Sequence, residues 1–240
     1  MSFHFRPVLT LLAASAMAIL IALGVWQLQR LEWKRGLIAK VEARIGADTA
    51  PFETVEKLWK ESQDTEYMPV FQAGVFRHDL EAHVFGTLDG AAGYYIFAPL
   101  ELPHPADEAR YLYVNRGFVP QALKNPASRP QGQVEGEVMV RGLFRTPEVA
   151  RGIAALVAPE DDPAGNFWYR REPARFAEAA GISALPVYID SFGEENPSDW
   201  PKGGTTRVAF PNRHLEYALT WFGLAAALFG VWLAYSMSRR

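Results

Sequence analysis

The sequence predicts a membrane protein in which two transmembrane α-helices flank a mainly antiparallel β (α+β) domain outside the bilayer, barrel- or sandwich-like. Three observations predict it. Uncharged apolar runs lie near both ends of the chain, Val8 to Val25 and Tyr217 to Tyr235. The long stretch between them is mostly polar. That stretch is dominated by short β-type runs bounded by Gly, Pro, Asp or Asn. At about 1.5 Å rise per residue, the uncharged segments Val8 to Gln29 and Tyr217 to Met237 each span the roughly 30 Å of a hydrocarbon core. Two crossings return both termini to one side. The division expected is an N-terminal tail (1–7), a first membrane helix (8–28), the β domain (29–213), a second membrane helix (214–235) and a C-terminal tail (236–240). A cleaved signal peptide is the alternative for the first run, with Arg6 ahead of it and Ala22, Leu23 and Gly24 as a small-x-small site.

Each element has its own signal. Ala14, Ala18 and Ala22 on the first helix share one face at four-residue spacing, and Gly223 with Ala227 and Ala226 with Gly230 do so on the second. Small residues allow close approach, so these are candidate mating faces of a two-helix hairpin. Gln29 to Arg44 continues the first helix as a polar one, with Leu31, Leu37, Ile38 and Val41 at near-helical spacing. Pro51 to Lys60 reads as a short helix. Strands are expected at Pro69–Phe76, Ala82–Leu88, Tyr94–Leu102, Tyr111–Val119, Glu137–Phe144 and Val187–Ser191. Pro173 to Ala180 reads as a helix closed by Gly181, a residue suited to the left-handed C′ position. Lys124 to Gly136 and Gly193 to Thr206 read as polar surface loops. Strands without regular intervening helices argue for an antiparallel sheet.

Composition excludes several classes. The chain has 240 residues, 49% hydrophobic and 21% charged, with a net charge of −3 and no cysteine. Disulfides, zinc-thiolate sites, iron–sulfur clusters and covalent haem attachment are therefore excluded. Lys and Arg are scattered, so no nucleic-acid partner is expected. His78 and His83 lack a nearby third metal ligand and read as surface residues. The run Glu160, Asp161, Asp162 reads as a solvated loop. Asp190 and Ser191 lie in no G-x-S-x-G elbow, and no acid, base and nucleophile set can be assembled, so no catalytic residue and no enzyme is expected.

Residues at the domain-side ends of the two crossings must share one membrane depth. Trp26, Arg30 and Trp33 lie on one face of the first helix, with Gln27 and Lys34 adjacent. His214, Tyr217 and Trp221 repeat the spacing on the second. One reading is an interfacial aromatic belt with polar groups at their solvated depth. The other is a site for a flat, apolar, anionic cofactor, with imidazole ligating iron, indole and phenol rings covering a macrocycle, and Arg30, Lys34 or Arg213 meeting carboxylates.

Several segments carry a family resemblance. Gly24 to Ile38 reads GVWQLQRLEWKRGLI, Gly93 to Leu100 GYYIFAPL, Tyr113 to Pro120 YVNRGFVP, Pro186 to Ser191 PVYIDS and Asn212 to Gly223 NRHLEYALTWFG. In this order and layout the chain resembles a bacterial member of the Surfeit-one (Shy-one) family of cytochrome c oxidase assembly factors. It departs from the family pattern at Ala98, where Thr is usual, and at Arg213, where Asn is usual. The resemblance implies a multi-pass protein of the bacterial inner membrane, with cytoplasmic termini and a periplasmic domain, a chaperone of respiratory-chain biogenesis. It implies haem a as cofactor, His214 as ligand to the haem iron, and oxidase subunit I as partner, with haem a synthase a further candidate. On that reading Trp26, Tyr217 and Trp221 line the ring and Arg30 meets a propionate. Arg116 is expected either in an ion pair within the domain or as a docking residue. The competing expectation is a scaffold that binds no haem and stabilises an intermediate of subunit I.

Overall fold

The computed structural model describes residues 7–62, 64–106, 109–148, 152, 159–205 and 212–237. Helix α1 (Pro7–Ile45) runs 39 residues, about 58 Å at 1.5 Å per residue, so the apolar run and the polar stretch after it form one unbroken helix. Helix α4 (His214–Met237) carries the second run. Both are long and apolar enough to cross a membrane. The described residues divide into two compact units, one holding those of 7–42 and 212–237 and the other those between 43 and 205.

In the first unit the helices pair through large-on-small contacts. Gly24 is buried on α1, and a Cβ there would lie 2.6 Å from the Phe222 ring. Ala13 on α1 and Ala218 and Ala225 on α4 are buried as well. At the other end of the pair the Trp232 indole N–H donates to Thr10 Oγ1 at 3.3 Å. The small residues expected to mate the helices do not do so. Ala14, Ala18, Ala22, Ala226 and Ala227 are exposed, and nothing lies within 4 Å of a Cβ built on Gly223 or Gly230. Four-residue spacing fixes a face but not its direction, and here those faces turn away from the partner helix.

The second unit is a seven-stranded sheet. Its strands are β1 (Ala50–Pro51), β2 (Pro69–Phe76), β3 (Ala82–Leu88), β4 (Ala91–Ala106), β5 (Ala109–Pro120), β6 (Glu137–Arg145) and β7 (Ala184–Ser191). They lie in the order β1-β2-β6-β7-β5-β4-β3. Strand β4 returns to β2, pairing Val75 with Glu101 and Phe76 with Leu100, so five strands close into a barrel. Closure pairs the five barrel strands on both sides and leaves β1 and β3 as the outer strands. Most pairs are antiparallel, as expected, but β5 runs parallel to β7 and β1 to β2.

Strand β5 is buried almost without alternation, because both of its faces are covered. A strand covered on both faces reads as a continuous apolar run. Leu112, Val114, Val187 and Ile189 point into the barrel beside Phe52 and Val55 of helix α2 (Phe52–Ser62). Tyr113 and Tyr188 point outward, into a second cluster with Phe97, Trp168 and Phe176, the last from helix α3 (Pro173–Ala180). Each apolar side chain fully withdrawn from water contributes about 1.5–3 kcal/mol, so the two clusters dominate the stability of this unit. Gly181 follows α3 at φ 66°, the left-handed closure that the sequence signalled.

Two stretches expected as surface loops are more ordered than their composition suggests. Residues 121–132 form three short 3-10 turns, with Arg129 buried beneath them and paired to Glu81. Lys202 forms a two-way backbone pair with Phe118 at 2.9 and 3.0 Å. In the acidic run Glu160 and Asp162 are exposed as expected, and Asp161 is the exception. Asp161 has 1% side-chain exposure and is paired to Arg170 and Arg175.

Candidate functional site

The motif residues converge in two places. The first is the seam between β5 and β7, where Tyr113, Val114 and Asn115 stand in register with Tyr188, Ile189 and Asp190. Asn115 donates to Asp190 Oδ1 at 2.7 Å, and its own oxygen accepts the Gly117 N–H at 3.1 Å. Asp190 also binds the Arg145 guanidinium, whose Nε reaches Glu66 at 2.6 Å. Gly117 adopts φ +116°, and a Cβ there would lie 2.0 Å from the Lys202 carbonyl oxygen. Only glycine admits both that backbone and that neighbour.

Arg116 is an interior residue with 0% exposure, which removes it as a docking residue. Its Nη1 donates to the Gly132 carbonyl at 2.7 Å, and its guanidinium carbon lies 4.7 Å from the centre of the Phe76 ring. Burial pushes its pKa down to about 10, leaving it charged at neutral pH. The ion pair expected for it is absent among the described residues; Arg145 makes one instead. The two histidines are also engaged in the fold. His83 is 5% exposed and donates through Nε2 to Glu81 at 2.7 Å, while His78 donates through Nε2 to the Val134 carbonyl at 2.9 Å. His83 is therefore not a surface residue, and no group of three metal-ligating side chains occurs among the described residues.

The second place is one end of the helix pair, where the GVWQLQR and NRHLEYALTWF segments meet. His214 is the first residue of α4. Its Nδ1 lies 2.7 Å from Gln27 Oε1 on α1, across 187 positions of sequence. The amide oxygen can only accept, so the proton of a neutral imidazole sits on Nδ1 and the lone pair on Nε2. Trp26 and Tyr217 are each 53% exposed, open to a ligand lying against the hairpin. Trp221 is half-buried. Arg30 stacks its guanidinium over Trp33, 3.8 Å from the ring centre, an arrangement that leaves its in-plane N–H groups free to meet a carboxylate. A half-buried imidazole with an available Nε2, flanked by open aromatic faces and a stacked arginine, is a donor set that fits an iron macrocycle.

The sequence model of the SURF1 family matches residues 14–226. The chain belongs to the SURF1 family. It is 34% identical to Surfeit locus protein 1 of Homo sapiens over 226 residues, covering 88% of this chain and 71% of the human protein. It is 35% identical to Surfeit locus protein 1 of Rattus norvegicus, covering 88% and 70% respectively. A SURF1-like protein of Monosiga brevicollis is 33% identical over 91% of this chain and 84% of its own length.

Within this SURF1-family chain the motifs divide by role. YVNRGFVP and PVYIDS form the parallel seam at the centre of the barrel, whereas the hairpin segments present side chains outward. Sequence reasoning placed Gln27 only as a neighbour of the site and missed Glu66 and Arg145. Gln27 had a usable signal, since it stands inside the same motif as Trp26. Glu66 and Arg145 had none, because nothing local distinguishes them from the other charges of the domain.

Proposed function

We propose that this protein is an assembly factor for haem-copper (cytochrome c) oxidase that binds haem a and aids its insertion into subunit I. The observation that carries this reading is the Gln27–His214 hydrogen bond, which orients Nε2 of a motif histidine as an available ligand. Membership of the SURF1 family across residues 14–226 supports the assembly role. His214 holds the iron through Nε2, Trp26, Tyr217 and Trp221 cover the ring, and Arg30 meets a propionate with the edge of its guanidinium. Haem a supplies redox chemistry only once it resides in the oxidase. This chain's part is to hold, orient and release it. In this reading the helices cross a bacterial inner membrane twice, the termini are cytoplasmic, the barrel is periplasmic, and haem a synthase is a candidate donor.

A second reading has its own support. The exposed small residues Ala14, Ala18, Ala22, Gly223, Ala226, Ala227 and Gly230 leave outward faces free for close approach by other helices. That favours a scaffold stabilising an intermediate of subunit I without binding haem.

Co-expression of wild type and His214→Ala with haem a synthesis, followed by purification and reduced-minus-oxidised spectra, separates the two. Haem a bound to wild type and diminished or spectrally altered in His214→Ala is the expected result. Folded wild type without haem, still co-purifying with subunit I, would overturn the haem reading in favour of the scaffold.

A further inference from the structure

We infer that Gln27 is the positioning residue of the His214 site, fixing the imidazole tautomer and keeping the ligand weak enough for transfer. The inference rests on the proposal that His214 binds haem iron. Its basis is geometric. A side chain on α1 reaches the first residue of α4, so the hydrogen bond that sets the imidazole orientation is also a tie between the two helices. The Tyr217 N–H donates to the Arg213 carbonyl at 3.2 Å, so the first turn of α4 closes around His214. Backbone hydrogen bonds do not fix the rotation of the ring about its side-chain torsions, and the Gln27 contact does.

The chemical identity of the partner carries the second half. A ligating histidine ordinarily donates its other N–H to a carboxylate, a carbonyl or water, and that partner tunes its basicity. A carboxylate draws the proton away and makes imidazole a stronger donor to the metal. The Gln27 amide is neutral and draws it only weakly. A residue that must pass its cargo on is served by a bond of this intermediate strength. Gln27 thus selects which nitrogen faces the iron while leaving the iron–nitrogen bond easy to break. The arrangement also couples release to hairpin geometry, because parting the helices at this end frees the ring to turn.

The test uses the full-length protein in detergent with 15N-labelled histidine, as wild type, Gln27→Met and Gln27→Glu. Imidazole 15N shifts are read without haem, and each protein is then loaded with haem a for the iron–histidine stretch by resonance Raman and the rate of haem loss to apomyoglobin. Wild type is expected to show Nδ1–H at His214, and Gln27→Met to lose that preference and release haem about 10- to 100-fold faster with histidine ligation retained. Gln27→Glu is expected to raise the stretching frequency and slow release. An Nε2–H tautomer in wild type, or equal release from wild type and Gln27→Met, overturns the positioning role while the haem reading stands. A wild type that takes up no haem overturns the haem reading and the tuning with it, and the tautomer shift in Gln27→Met is still read from the unloaded protein.

Discussion

Tyr113 and Tyr188 are fully buried, and neither hydroxyl has a hydrogen-bond partner among the described residues. A buried hydroxyl without a partner costs free energy, whereas a phenyl ring of the same shape does not. Tyr113→Phe is therefore expected to leave stability unchanged or raise it by up to about 1 kcal/mol, measured by chemical unfolding followed by near-UV circular dichroism. Burial pushes both phenol pKa values up. A group whose folded pKa lies above its unfolded value contributes stability below about pH 10 that is lost as pH rises further. The double phenylalanine variant is accordingly expected to show a shallower alkaline limb than wild type; an unchanged limb would place these phenols in water. Asp190 behaves in the opposite way, because it is satisfied twice, by Asn115 and Arg145. Asp190→Ala leaves the buried Arg145 guanidinium with Glu66 alone and takes the acceptor from Asn115, and is expected to cost about 1–3 kcal/mol.

The elements explain why local signals found some features and passed over others. Strand positions were legible because β2, β3, β6 and β7 each carry a short apolar run between turn residues, and helix α3 because Gly181 marks its end. The parallel pairing of β5 with β7 was not legible, since a strand buried on both faces has the same composition whichever way its neighbour runs. Loop order was hidden for a related reason. Asp161 stands in an acidic run, but Tyr169, Arg170 and Arg175 lie beyond it in sequence and reach it only in the fold. Burial alone pushes the Asp161 carboxyl up, yet the Tyr169 amide and the two guanidinium groups hold it below the ordinary carboxylate range. A lowered folded pKa gives stability that is fully present above about pH 4 and lost as pH falls through the folded value. Asp161→Asn is expected to destabilise at neutral pH by about 1–3 kcal/mol, with the difference from wild type shrinking on acidification. A constant difference across that range would assign the loss to packing.

At the scale of the molecule, the same family signature serves two physical ends. In the barrel, the motif residues Asn115, Arg116, Gly117 and Asp190 are interior, and what they specify is the seam that holds five strands closed. In the hairpin, the motif residues Trp26, His214 and Tyr217 stay accessible, and what they specify is a surface. Sequence alone could not separate the two, since an arginine or histidine inside a motif looks the same whether it faces a core or a ligand. The two compact units provide a test of this division. Gly117→Ala meets the Lys202 carbonyl and a left-handed φ in the barrel, while Gly24→Val drives a branched side chain into the Phe222 ring in the helix pair. Each is expected to destabilise its own unit by about 1–3 kcal/mol. Because the altered positions share no partner, their effects are expected to add within about 0.5 kcal/mol in the double variant. Trp fluorescence quenching at Trp26 and Trp221 reports the hairpin, and near-UV dichroism of the aromatic cluster around Phe97 and Trp168 reports the barrel. A Gly117→Ala variant that also loosened the hairpin signal would show that the barrel's closure and the hairpin are energetically coupled.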